Sequence, residues 1–70
     1  MSITVDARGR SCPEPVIMTK TALEKAGGGT VTVLTDTAVA RDNVSRMAGS
    51  LGWKSTVQEN DGEFTITCTR

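Results

Sequence analysis

Apolar residues first alternate with polar ones along this chain, then recur at helical spacing, and the change of period marks out its elements. Ile3-Thr4-Val5 alternates as a half-buried strand does, and Asp6-Ala7-Arg8-Gly9-Arg10-Ser11 reads as the loop that ends it. Cys12-Pro13-Glu14-Pro15 then opens a helix, because a first-turn proline lacks only an amide that would have had no partner inside the helix. Val16, Thr19, Ala22, Leu23 and Ala26 share one face of it, with Lys20, Glu24 and Lys25 away from that face. Gly27-Gly28-Gly29 ends the helix; the run follows a helix rather than preceding one, so it reads as cap and turn and not as a phosphate loop. Thr30 to Thr35 is the clearest strand. Asp36 or Thr37 caps a second helix whose apolar face is Ala40, Val44, Met47, Ala48 and Leu51, with Gly52 after it. A segment from Trp53 through Glu59, a turn at Asn60-Asp61-Gly62 and a returning strand from Glu63 through Cys68 make a hairpin.

The order is therefore β-α-β-α-β-β. A crossover through the first helix makes the first two strands parallel neighbours, which predicts a two-layer α/β (α+β) sandwich with a mixed four-stranded sheet and two helices on one face. Thr65, Thr67 and Thr69 suit the open face, and Phe64, Ile66 and Cys68 suit the side under the helices. Seventy residues leave room for one core, so residues 1–70 are expected to form a single domain.

Composition narrows the chemistry. Eight basic and eight acidic side chains give a formal net charge of zero, which argues against a general polyanion or membrane-surface binder. Few aromatics are available to stack on bases, so tight direct nucleic-acid binding is not expected. No apolar run approaches the roughly 18 residues of a membrane span and no secretory leader is written, so a cytoplasmic location and no membrane partner are expected. Two widely spaced cysteines make neither a CxxC redox pair nor a zinc site, and no metal or cofactor is expected. Histidine is absent, which removes any Cys-His or Ser-His pair and any imidazole proton shuttle.

One position carries chemistry. A thiol at the start of a helix is made more thiolate-like by the first-turn amides and the local dipole, so Cys12 is a candidate nucleophile that needs no histidine. Arg8 and Arg10 are candidates to stabilise a thiolate or a sulfur-bound anion, and Asp6 to orient one of them or hold the loop. Pro13 and Pro15 stiffen the helix start. The same residues are also compatible with a structural cysteine in a noncovalent protein-binding or regulatory module. Cys68 reads as a small buried side chain.

Val5-Asp6-Ala7-Arg8-Gly9, then Cys12-Pro13-Glu14-Pro15-Val16 and Thr19-Lys20, resembles the signature of the TusA/SirA-like sulfur carriers, including the similar domain of YedF-type proteins. Asp36 followed by Ala40-Arg41-Asp42-Asn43-Val44 supports the likeness, which runs nearly the length of the chain. The resemblance implies a sulfurtransferase-type carrier in which Cys12 accepts sulfur as a persulfide and hands it to a protein partner. It implies a donor such as a cysteine desulfurase or a rhodanese-like protein, and a downstream sulfur-acceptor protein. Glu14 falls within the signature, and Lys20, Arg41 and Asp42 are candidate docking residues. Such carriers serve tRNA thiolation, cofactor maturation or sulfur oxidation, and the YedF-like branch is linked to selenium metabolism. Arg10-Ser11 stands where relatives commonly carry a leucine, which makes this segment more basic and bears on which partner it meets.

Overall fold

A computed structural model describes residues 2–9 and 14–70. In chain order the elements are β1 (Ser2–Asp6), α1 (Glu14–Ala26), β2 (Thr30–Thr35), α2 (Ala38–Ser50), β3 (Lys54–Asn60) and β4 (Glu63–Thr69), the order the periodicity predicts. The sheet runs β1-β2-β4-β3. β1 is parallel to β2, with Ile3 beside Val31 and Val5 beside Val33. β4 is antiparallel to both of its neighbours, with Ile66 between Val33 and Val57.

Alternation decides which face is covered. Val31, Val33 and Thr35 of β2 are buried and alternate with half-buried neighbours, and β4 does the same with Phe64, Ile66 and Cys68. Leu23 of α1 and Val44 and Ala48 of α2 close the core over them. Fully burying an aliphatic side chain of this size contributes about 1.5–3 kcal/mol, so a core of valines, Ile66 and Leu23, completed by Ala7, Ala48, Trp53 and Cys68, holds this small sheet. The opposite face carries threonines: the register puts Thr4, Thr32, Thr67 and Thr56 in one row across all four strands. Leu34 shares that face and is half-buried. β3 is exposed throughout and forms one sheet edge; β1 forms the other. Trp53 precedes β3 rather than opening it, and is buried with its backbone N–H donating to the Ala48 carbonyl at 2.9 Å.

The ends of the elements are fixed by local chemistry. Thr37 is the cap of α2, its hydroxyl accepting from the Ala40 N–H at 3.1 Å, which decides between the two capping candidates. Asp61 and Gly62 link β3 to β4 with φ of 52° and 80°, the paired positive values of a two-residue type I′ turn. Because α1 returns the chain from β1 to a parallel β2, both helices run against these strands. Their N-termini therefore lie where β1 and β2 finish, and the β3–β4 turn lies there too, since Phe64 sits beside Thr35. Charge is sorted along this axis. Asp6, Asp36, Asp42, Glu59, Asp61 and Glu63, offset in part by Arg8 and Arg41, belong to that end, whereas Lys25, Lys54 and Arg70, offset in part by Glu24, belong to the opposite one.

Candidate functional site

The backbone leaving β1 stays in the sheet for one more residue, Ala7, which is buried and whose N–H donates to the Leu34 carbonyl at 2.8 Å. The chain then turns out, and side chains hold it. Asp6 accepts the Arg8 backbone N–H at 3.2 Å and Nε at 2.9 Å through Oδ1, and takes Nη2 at 3.0 Å through Oδ2. A bidentate carboxylate–guanidinium pair fixes both angle and distance, so Asp6 shapes the loop and aims Arg8 in one stroke. Arg8 also reaches Glu63 Oε1 at 3.4 Å across the sheet. These two carboxylates, Asp6 foremost through its hydrogen bond, raise the Arg8 pKa above its already high value. Arg8 thus links the end of β1 to the start of β4 through solvent-exposed ion pairs.

Gly9 makes the next anchor. It adopts φ of 74°, a left-handed conformation that disfavours side chains, although a Cβ there would meet open space. Its N–H donates to Asp36 Oδ2 at 2.9 Å. Since Thr37 does the capping, the Asp36 carboxylate is released to hold the loop of the neighbouring strand.

Arg10, Cys12 and Pro13 lie outside the described residues, so the expectations placed on them have no structural counterpart here; the same holds for the Glu14 side chain. The clamp at Gly9 ends three residues before Cys12 in sequence, and α1 begins two residues after it. Pro15, the second residue of that helix, is fully buried and its carbonyl accepts the Thr19 hydroxyl at 2.8 Å. Among the described residues, the Thr35 hydroxyl at this end of β2 is buried at a core position without a hydrogen-bond partner.

The other candidates divide by place. Asp6 and Arg8 come together with Glu63, while Arg41 and Asp42, the fourth and fifth residues of α2, lie toward the same end. Arg41 Nε donates to Asp42 Oδ1 at 2.9 Å, and its guanidinium carbon lies 4.8 Å from the centroid of the Phe64 ring. The hydrogen bond to Asp42 raises the Arg41 pKa. Lys20 is exposed half-way down α1, away from this cluster. Cys68 is sealed beneath the helices, and burial pushes its thiol pKa up, which disqualifies it as a competing nucleophile. Reading the sequence alone missed Glu63 and gave Asp36 only a capping role. The available signal for Asp36 was its place: with β1 and β2 parallel, the residue after β2 stands beside the loop after β1.

Two helices over one face of a β1-β2-β4-β3 sheet make a two-layer α+β sandwich, the class of small single-sheet domains. A SirA-like protein of Desulfitobacterium hafniense, known from its crystal structure, superposes with a TM-score of 0.91 at 44% identity, over 96% of this chain and 95% of that one. The family model described as sulfurtransferase TusA matches residues 3–70, and the chain belongs to that family. No curated protein matches it. Membership gives it the general role of a sulfur carrier or sulfurtransferase acting between proteins.

Proposed function

We propose that residues 1–70 act as one domain that takes sulfur onto Cys12 as a persulfide and relays it to a second protein. The observation that carries this reading is the pair of contacts on the loop: Asp6–Arg8–Glu63 and Asp36–Gly9 hold the backbone up to three residues before Cys12 in sequence, and α1 begins two residues after it. Of the two cysteines in the chain, Cys68 is sealed in the core, which supports assigning the exchange to Cys12.

The step balances without a cofactor. The Cys12 thiolate attacks the outer sulfur of a donor persulfide, the S–S bond of the donor breaks, and the donor leaves as a thiolate while Cys12 carries S–SH. An acceptor protein then attacks that outer sulfur and releases the Cys12 thiolate. First-turn amides of α1 and the Arg10 cation favour the anionic forms, while Arg8 serves by holding the loop. With no histidine in the chain, proton transfers belong to the partners. A cysteine desulfurase or rhodanese-like protein fits the donor role, and Lys20, Arg41 and Asp42 offer charge for docking. Among the described residues no helix is long and apolar enough to cross a membrane, and Trp53 and Phe64 are both buried, which leaves no aromatic platform for bases. We place the exchange in the cytoplasm, where thiols stay reduced.

Intact-mass measurement after incubation with a persulfide donor tests the assignment. The native chain gains one sulfur atom, Cys12→Ser gains none, and Cys68→Val gains one as the native chain does. Sulfur carried by the Cys12→Ser protein refutes the reading.

A further inference from the structure

Two threonines of this small core are fully buried, Thr19 of α1 and Thr35 of β2. A buried hydroxyl ordinarily has a partner, and that of Thr19 donates to the Pro15 carbonyl at 2.8 Å. Thr35 has none among the described residues. It follows Val31 and Val33 on the covered face of β2, where a valine of the same shape would leave no polar atom dry. Its neighbours across the sheet are apolar: Phe64 by register, and Ala7, one residue beyond the Asp6–Leu34 pair, both buried. The Thr35 side chain therefore rises into the helix layer. α1 packs on β1 and β2 while α2 packs on β3 and β4, so the start of α1 is the helix terminus over this end of β2. A helix of 13 residues directs its unpaired first-turn N–H groups out of that terminus, and a dry hydroxyl lies beneath it.

We propose, resting on the relay reading above, that the Thr35 hydroxyl is a hydrogen-bond donor to the anionic sulfur of Cys12, as thiolate before loading and as persulfide after it. Cys12 stands two residues before α1 in sequence, so its sulfur is carried by the chain that enters this terminus. A neutral thiol is a weak acceptor and an anionic sulfur a much stronger one. A donor with no other partner gains its bond when the charge appears, which lowers the free energy of the reactive form and not of the resting one. Being neutral, a hydroxyl can wait in the core where an unpaired cation could not. Thr35 keeps its own proton throughout, no bond to it forms or breaks, and the exchange needs no further reactant. In a chain without histidine, this donor and the α1 amides supply the stabilisation that an imidazolium gives a cysteine elsewhere. The end of β2 then serves twice: Asp36 holds the Gly9 backbone on the outside, and Thr35, one residue earlier, supplies the donor from the core.

Alkylation by iodoacetamide, followed across pH on the full chain carrying Cys68→Val, reads the Cys12 thiol pKa. Thr35→Val keeps the shape and removes the oxygen; it should raise that pKa by about one unit, the size expected for one lost hydrogen bond to a charged group. Thr35→Ser keeps the hydroxyl and should leave the pKa near its native value. Sulfur loading, read by intact mass, should slow about tenfold in Thr35→Val and recover in Thr35→Ser. At acid pH, where the thiol is protonated, the urea midpoint of Thr35→Val should equal or exceed the native one, because the hydroxyl has no bond to lose in that state. A Cys12 pKa that Thr35→Val leaves unchanged overturns the proposal. So does a lower midpoint at acid pH, which would show the hydroxyl already paired within the fold or with a trapped water. The titration needs no sulfur donor and is read independently of the relay. Absence of sulfur gain in the native chain would refute the relay, whereas gain with an unmoved pKa in Thr35→Val would refute only the role of Thr35.

Discussion

Burial at a single sulfur makes stability depend on pH in a definite direction. Cys68 is fully buried in β4, beside Val31 on one strand and Ser55 on the other, and desolvation raises its pKa in the folded state. The folded chain therefore holds this proton more tightly than the unfolded one. The contribution is intact below the ordinary thiol range and is lost as pH rises through that range toward the raised folded value. Urea unfolding at neutral and alkaline pH should show the midpoint falling, and Cys68→Val should remove most of the slope. An equal slope in that variant would deny Cys68 any part in it. The buried place of Cys68 was legible from its alternation with Thr67 and Thr69 alone. The service of Asp36 was not, because a carboxylate just before a helix has two uses, and only the presence of Thr37 at the cap shows which is taken.

At the level of elements, parallel pairing of β1 and β2 lets the end of one strand govern the loop of the other. The Asp36–Gly9 bond joins exposed groups, so water competes for it, and Asp36→Ala should cost less than about 1 kcal/mol in denaturant unfolding. The rate of sulfur loading is the sensitive quantity, since a small misplacement of a reacting atom is amplified in the barrier; Asp36→Ala should slow loading by about tenfold or more. Asp36→Asn keeps an acceptor oxygen and should restore most of the rate. Loading at the native rate in Asp36→Ala would show that the bond shapes only the loop and not the exchange. Element order and the covered face followed from periodicity, because each helix has one apolar stripe and β4 a clean alternation. The position of β4 inside the sheet did not come from the hairpin, which allows either of its strands beside β2. Burial settles it physically: Val57 is the one large apolar residue of β3, so that strand gains little from a central place. For the braced loop, the sequence offers Asp6 as a partner for Arg8, for Arg10 or for the loop backbone, and the fold shows it taking Arg8, whereas Glu63 is distant in sequence and enters only through the fold.

Across the whole molecule the sorted charges outweigh their sum. Glu63 and Thr69 mark opposite ends of a seven-residue strand, which at the usual rise spans about 20 Å. Screening at physiological salt acts over about 8 Å, so each end presents its own sign to whatever approaches it. Net neutrality, which argues against polyanion binding when charge is treated as one total, does not describe what a neighbour meets at either end. A chromatographic consequence follows. At its isoelectric point, about pH 6.1, a protein with evenly mixed charge passes through ion-exchange resins, but this one should be retained at low ionic strength by both an anion exchanger and a cation exchanger. Passage through both would show that its carboxylate and amine ends neutralise one another. Retention by both, released by modest salt, would mean that one small neutral protein adheres by opposite poles to opposite beads.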